Sequence, residues 1–396
     1  MIGFDEACRR LAALATPLGV EFVPLDRAAG RILAAPVIAR RSAPAVEVSA
    51  MDGYAVRDAD LAAGPVRLRL VGEAFAGSAP RLAPLGAGDC VRIFTGAPMP
   101  AGADRVVIQE VTRREGEAVL LVERPSPAWH VRAAGSDFAL GETLLDASVR
   151  LSPQALVAAA AADIGAVQAY RRPRLALIST GDELVAPGQA ADAPGTIPES
   201  VSFGVAALAD AWGGEVVSRR RLGDDLPGLA RAAGEALDEA DVVVVTGGAS
   251  VGERDFSKAM FQSHRLRLAF EKVAIKPGKP VWLGRAGKRI VLGLPGNPSA
   301  AMVTARLFLA PLLAGLGGRR PEEALAWRTM PLLAPLDACG DRECFHRGRG
   351  AADGVKPLGN QDSSAQKELA MADLLIRRRA GARLLPAGGL VEVLSF

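Results

Sequence analysis

The sequence predicts an α/β plus β protein, a doubly wound α/β domain accompanied by smaller β modules. Three observations carry this. Apolar strand-like runs alternate with helix-period segments between residues 173 and about 318. Short strand-like runs separated by Gly/Pro turns occupy roughly 50 to 148, and such runs return from about 328 to 396. At 396 residues, 49% of them hydrophobic, the chain is too long for one ordinary domain and rich enough in apolar side chains for packed cores.

Taken in order, MIGFDEACRRLAAL places two acids before its arginines and lacks a secretory core, so it reads as an amphipathic helix. Helical periodicity continues to about residue 45 and gives way to the extended, Pro-containing APVIARRSAPAVEVSAMDG. VRLRLVGEA, DCVRIFTG, DRVVIQEV and AVLLVE then read as an antiparallel β module. LSPQALVAAAAADIGAV opens on Ser-Pro and is expected to form a single long helix over Ser152 to Ala169. It is broken by Asp163 and too short to span a bilayer, so a soluble, cytoplasmic protein without a membrane partner is expected.

RLALIST, EVVSRRRLGDD and DVVVVTGG are expected as strands, with helices VSFGVAALADAWG and LPGLARAAGEALDEA between them. That is the rhythm of a parallel, doubly wound sheet, and fully apolar strands suit one covered on both faces. VWLG and RIVLGLPG follow, then the apolar helix SAAMVTARLFLAPLLAGL. WRTMPLL, GVKPLG, ADLLIRR and LVEVLSF close the chain as a second small β module.

The formal charge of +3 is small for this length and lacks any Lys/Arg block, which suits anionic small molecules and gives no footprint for nucleic acid. Four cysteines (Cys8, Cys90, Cys339, Cys344) form no C-x-x-C pair, and only three histidines accompany them. Neither a zinc site nor a disulfide framework is expected.

The chemistry concentrates where strands end, because ligands of open α/β sheets sit beyond the carboxyl edge. Thr180, Gly181, Asp182 and Glu183 lie there, as do Asp224 and Asp225, Thr246 to Asp255, and Gly293 to Ser299. Gly247, Gly248 and Gly252 bare backbone amides that could meet an anion, or they permit only a tight turn. The loop matches neither the P-loop nor the G-x-G-x-x-G pattern. Asp224, Asp225, Glu253 and Asp255 at one edge call for a cation or a proton; carboxylates beside phosphates usually mean magnesium. The alternative for Asp225 and Asp255 is helix capping. Lys276 and Lys279 flank a Pro-Gly turn, fit for an oxyanion or for plain solvation. Pro295, Gly296, Asn297, Pro298 and Ser299 lead into a helix N-terminus. Upstream, Asp52, Thr95 and Asp137 sit on Gly-containing turns.

SAMDGYAV, IFTGAPMPAGAD, AAGSDFALGETLL, ISTGDEL, TGGASVGERD, KPGKP and GLPGNPSAAM occur in an order that resembles the molybdopterin molybdenumtransferases (MoeA and the gephyrin E domain). Each motif alone is weak; the ordered set spans nearly the whole chain. The resemblance implies a helical/extended linker domain (1–48 plus 146–172), a β domain (49–145), an α/β molybdopterin-binding domain (173–326) and a C-terminal β-barrel-like domain (327–396). It also implies a homodimer that takes adenylylated molybdopterin and molybdate, releases AMP with Mg²⁺, and yields molybdenum cofactor.

Carried over by position, Gly247, Gly248, Ser250 and Gly252, with Thr246, Thr180, Gly181 and Asp182, would bind the pterin phosphate region. Pro295 to Ser299 would assist them. Asp255 and Asp224 would hold the metal and serve cleavage, with Glu183, Asp52 and Asp137 as further acids and Thr95 beside the substrate. Lys276, Lys279, Arg347, Ser363 and Ser364 would hold molybdate. A molybdopterin adenylyltransferase and acceptor molybdoenzymes are the protein partners the resemblance suggests. One stretch departs: IPESVSFG puts Pro198, Glu199 and Val201 where the family carries Tyr, Asp and Asn. The competing readings are an adenylyltransferase-like activity and a catalytically impaired molybdopterin carrier or scaffold.

Overall fold

The computed structural model describes residues 1–62, 65–77, 83–247 and 256–396. They fall into two compact units: 1–21, 30–34 and 169–396 form the first, and 22–29 with 35–168 the second.

The first unit is built on a six-stranded sheet. Its strands in chain order are β1 (Arg174–Thr180), β2 (Glu215–Leu222), β3 (Val242–Thr246), β4 (Arg267–Phe270), β5 (Trp282–Ala286) and β6 (Arg289–Leu294), arranged β2-β1-β3-β6-β5-β4. β2, β1, β3 and β6 run parallel, whereas β6-β5 and β5-β4 are antiparallel. The expected all-parallel sheet is therefore mixed. The cause is chain length: only Gly287 and Lys288 separate β5 from β6, enough for a hairpin but far short of a crossover.

Strand alternation sorts the valines of β3 onto two cores. Val242 and Val244 pack with Phe4, Leu11, Val205, Ala209 and Phe308, while Val243 and Val245 pack with Leu229, Ala233, Ala236 and Phe261. All four valines are fully buried. Helices α1 (Val201–Ala211) and α2 (Leu226–Glu239) thus cover opposite faces, as the doubly wound reading required. The Asp225 carboxylate caps α2 by accepting from Gly228 N–H at 2.9 Å. Helix Pro298–Leu316 is, by length and composition, apolar enough to cross a bilayer, yet nearly all of it is buried within the core. It displaces 152–169 as the most apolar helical stretch.

A second sheet in this unit joins Ile275–Lys276, Glu343–Ala351, Leu374–Arg378, Leu390–Ser395 and Arg328–Pro331 in that order, with Gly354–Pro357 on Glu343–Ala351. Glu343–Ala351, not marked in the sequence, is its longest strand. Its polar, Gly-interrupted composition hides a strand whose buried residues gather in 343–348 and do not alternate.

The second unit holds a six-stranded sheet containing Gly53–Val56, Arg67–Ala74, Asp89–Ile93, Arg105–Ile108, Thr112–Glu115 and Ala118–Leu121. One pair, Arg67–Ala74 with Asp89–Ile93, is parallel, so this module too is mixed where antiparallel pairing was expected. Up to about residue 45 the only α-helix is Phe4–Ala12; the rest is extended, in turns or in the short 3-10 helix Leu25–Arg27. The expected long helix over 152–169 stops at Ala161, capped at its start by Ser152, whose hydroxyl accepts from Ala155 N–H. Asp163 turns the chain with φ 63°, and Ala166–Tyr170 continues as a strand.

Candidate functional site

At the carboxyl edge of the first sheet, β3 ends on Thr246 and the chain swings through Gly247 at φ 90°. A Cβ there would stand 2.4 Å from the Thr180 carbonyl oxygen. The glycine is thus demanded by its own conformation and by the neighbouring strand. The Thr246 hydroxyl donates to Ser179 Oγ at 3.0 Å. Among the described residues the buried Thr180 hydroxyl has no partner, an unmet polar group lining a cleft.

That cleft has a volume of about 630 Å³ and is lined by Thr180, Glu183, Asp224, Thr246, Gly247 and Asn297, among others. Asp182 stands behind it: its carboxylate accepts from Asp224 N–H at 2.9 Å and so fixes the second acid. Gly181 lets Glu183 fold over it; a Cβ would meet the Glu183 carboxylate at 2.7 Å. Gly248, Ser250, Gly252 and Asp255 lie outside the described residues, as does Glu253.

The departing stretch lines the same cleft. Glu199 is 7% exposed, and its carboxylate accepts from Ser202 N–H at 2.8 Å and from the Ser202 hydroxyl at 2.5 Å. An acid at the start of α1 is favoured by the helix dipole. Arg219 adds a hydrogen bond to Ser202 Oγ at 2.8 Å and stacks on Phe203.

A second cavity of about 620 Å³ abuts the first, sharing Pro280, Pro295 and Asn297. Lys276 and Lys279 line it, joined by Arg342, His346, Gln361 and Ser363. The Lys276 backbone is held by pairing of Ile275–Lys276 with Glu343–Cys344. Gly278, at φ 103°, has no room for a Cβ, which would lie 2.2 Å from Thr304 Cγ2. Both lysines are exposed, so the turn presents two cations to the cavity.

Of the residues expected to hold molybdate, Arg347 and Ser364 do not line the lysine cavity. Arg347 is 1% exposed, and its guanidinium donates to Ser299 Oγ and to the carbonyls of Asn360 (3.0 Å), Asp362 (2.9 Å) and Ala365 (3.0 Å). A cation so fully engaged lies behind the cavity and shapes loop 360–365. Burial holds its pKa below the ordinary range. Ser299 is likewise fully buried, donating to Ala365 O at 2.7 Å. Ser363 accepts from Asn297 Nδ2 at 2.9 Å and lines the lysine cavity; Ser364 lines the acidic cleft. The Ser364 hydroxyl donates to Asp362 and lowers that acid's pKa.

Gln361 was not anticipated. It accepts from Arg347 N–H and donates to the Arg347 and Leu358 carbonyls, pinning the loop that carries both serines. Arg342 and His346 were missed as well; Arg342 lies just before CFHRGR and His346 within it.

Asp52, Thr95 and Asp137 belong to the second unit. The Asp52 carboxylate accepts from Thr95 N–H and from the Thr95 hydroxyl, each at 2.8 Å. Those two bonds, the backbone one foremost, lower its pKa below the usual carboxylate value. Asp137 is exposed on a turn, its N–H bonded to Ala43 O at 3.0 Å.

The chain matches two family models: the MoeA N-terminal region (domain I and II) over residues 2–163, and a probable molybdopterin binding domain over 176–315. A molybdopterin molybdenumtransferase of Nostoc sp. (strain PCC 7120) is 39% identical over 388 residues, covering 95% of this chain and 88% of that protein. One from Haemophilus influenzae is 37% identical, covering 85% and 81%. One from Bacillus subtilis is 31% identical, covering 99% and 94%. The crystal structure of a molybdopterin biosynthesis MoeA protein from Pyrococcus horikosii superposes with a TM-score of 0.83 at 29% identity, covering 100% and 99% of the two chains.

Proposed function

Because this chain belongs to the molybdopterin molybdenumtransferase family and serves molybdenum cofactor biosynthesis by molybdenum insertion, we propose a division of labour between its two abutting cavities. The acidic cleft takes the phosphate linkage of adenylylated molybdopterin; the lysine cavity takes molybdate. One observation carries the reading: carboxylates and an unpartnered hydroxyl line one cavity, cations line the next, and Asn297 belongs to both.

The Thr180 hydroxyl and the amides around Gly247 orient the phosphate, with Gly248, Ser250 and Gly252 continuing that loop. Glu183 and Asp224 offer hard carboxylate oxygens in the same cleft, the donor set Mg²⁺ prefers. Asp224 and Glu183, with Asp255, would hold that ion. When bound it would neutralise the linkage phosphate, so that water attacks a less repulsive centre and AMP leaves. Lys276 and Lys279 replace hydrogen bonds that molybdate loses on leaving water, and Ser363 adds a hydroxyl. Both lysines serve only to position the oxyanion beside the dithiolene.

The working form in this proposal is a cytoplasmic homodimer, with Asp52, Thr95 and Asp137 supplied by the partner subunit. Its wider partners would be a molybdopterin adenylyltransferase and the acceptor molybdoenzymes. Glu199 supports an active rather than an impaired site, since it is used to fix the start of α1 beside the cleft. The test is direct. Purified protein given adenylylated molybdopterin, molybdate and Mg²⁺ should release AMP and yield cofactor that activates an apo-molybdoenzyme. Asp255→Ala should abolish AMP release while leaving the fold intact. Tight binding of the nucleotide without AMP release would favour the carrier reading.

A further inference from the structure

Three side chains that the sequence gave no reason to group meet beside the lysine cavity. One ligand atom each from Cys339, Cys344 and His346 lies within 4.8 Å of the others. The local chain explains the meeting. Cys344 and His346 are two apart on the strand Glu343–Ala351, so they project from the same face, the one lining the cavity. Phe345 between them points the other way, against Phe4 and Trp327. Cys339 arrives from the preceding loop, whose register is set by its N–H on Ala382 O at 2.7 Å.

Two features mark the cluster as unfinished. His346 Nε2 is buried without a hydrogen-bond partner among the described residues, which is costly if nothing meets it. Both cysteines are free and buried, and neither closes a disulfide. A buried imidazole nitrogen with nothing to bond, facing two thiols, is a donor set lacking its centre.

We propose that Cys339, Cys344 and His346 form a site for a thiophilic divalent cation of the zinc class, with a fourth position open toward the cavity lined by Lys276 and Lys279. Two sulfurs and one imidazole suit this ion, and three protein ligands leave room for water or an oxyanion oxygen. Ideal Zn–S and Zn–N bonds of about 2.3 and 2.0 Å require the ligands to draw in by roughly an ångström, and Cys339, on a loop, is the one able to move. Binding sends both thiol protons to solvent, so the dication, two thiolates and neutral imidazole sum to zero charge. That neutrality matters, because Lys276, Arg342, Arg347 and Arg378 act on the group from nearby, with Asp337 opposing them.

The site stands apart from the assignment of phosphate and molybdate, and its test reads metal rather than turnover. Full-length protein, reduced and stripped with a chelator, is titrated with Zn²⁺ against a chromophoric competitor and separately with Co²⁺. The expected result is one ion per chain, with a thiolate-to-cobalt charge-transfer band. Cys339→Ser and His346→Gln should each weaken binding by about 100-fold or more, since even outer partners of a ligand cost about 10–100-fold. Cys90→Ser, a change in the second unit, should bind as the parent does. Circular dichroism of the stripped variants checks that each is folded. No stoichiometric ion in the parent, or equal affinity in folded Cys339→Ser and His346→Gln, would overturn the proposal. Formation of a Cys339–Cys344 disulfide in place of metal uptake would overturn it as well.

Discussion

The Gly247 Cα faces the Thr180 carbonyl so closely that a Cβ would stand 2.4 Å from the oxygen, with φ at 90°. Two parallel strands of the mixed sheet therefore meet edge to edge at the cleft with only backbone between them. Gly247→Ala should cost about 1–3 kcal/mol of stability, the usual range for a side chain forced into such a conformation. Urea denaturation measures it. AMP release should fall by more than the folded fraction does, because the amides move.

Lys279→Ala should raise the molybdate concentration needed for half-maximal rate about 10-fold or more, as loss of a charge-assisted hydrogen bond of about 1.5–3 kcal/mol implies. Affinity for the adenylylated pterin should change little. Lys276→Ala should behave likewise. An unaltered molybdate dependence in both would remove the lysine turn from the site.

Arg347→Met should act through the fold. Its four acceptors lose their donor together, and each buried group left unsatisfied costs about 1–3 kcal/mol. A lowered melting temperature and weakened binding of both substrates are expected, with little recovery in Arg347→Lys, whose single ammonium cannot span the same set. A pure molybdate defect at unchanged stability would instead make Arg347 a direct ligand.

Thr95→Val should raise the Asp52 pKa toward the ordinary carboxylate value, since the hydroxyl supplies one of its two hydrogen bonds. The sign follows from a folded-state pKa that is depressed. The stabilisation is present above the unfolded carboxylate pKa and is lost as pH falls through the lower folded value. Carboxyl NMR titration of the parent and variant reads the shift directly.

Much of this was legible in the chain. The valine run ending at Gly247, and the acids and lysines placed where strands end, follow from periodicity and turn chemistry. What stayed hidden has physical causes. Arg347 and Ser299 have the side chains of surface ligands, and only tertiary folding shows that their polar atoms are already engaged. The helix expected over 152–169 has strong alanine propensity, yet Asp163 at φ 63° ends it. Cys339 joins Cys344 and His346 because a loop folds back, which no spacing rule encodes. The role of Glu199 in the departing stretch stayed hidden for a similar reason: it serves a helix start that a linear reading cannot see.

The central claim is that the two adjoining cavities divide the substrates between them. A crystal of the protein soaked with adenylylated molybdopterin and molybdate tests it most directly. The account predicts the linkage phosphate within hydrogen-bonding reach of Thr180 and Gly247, and the oxyanion between Lys276 and Lys279. Density for either substrate at a different place on the subunit would contradict it.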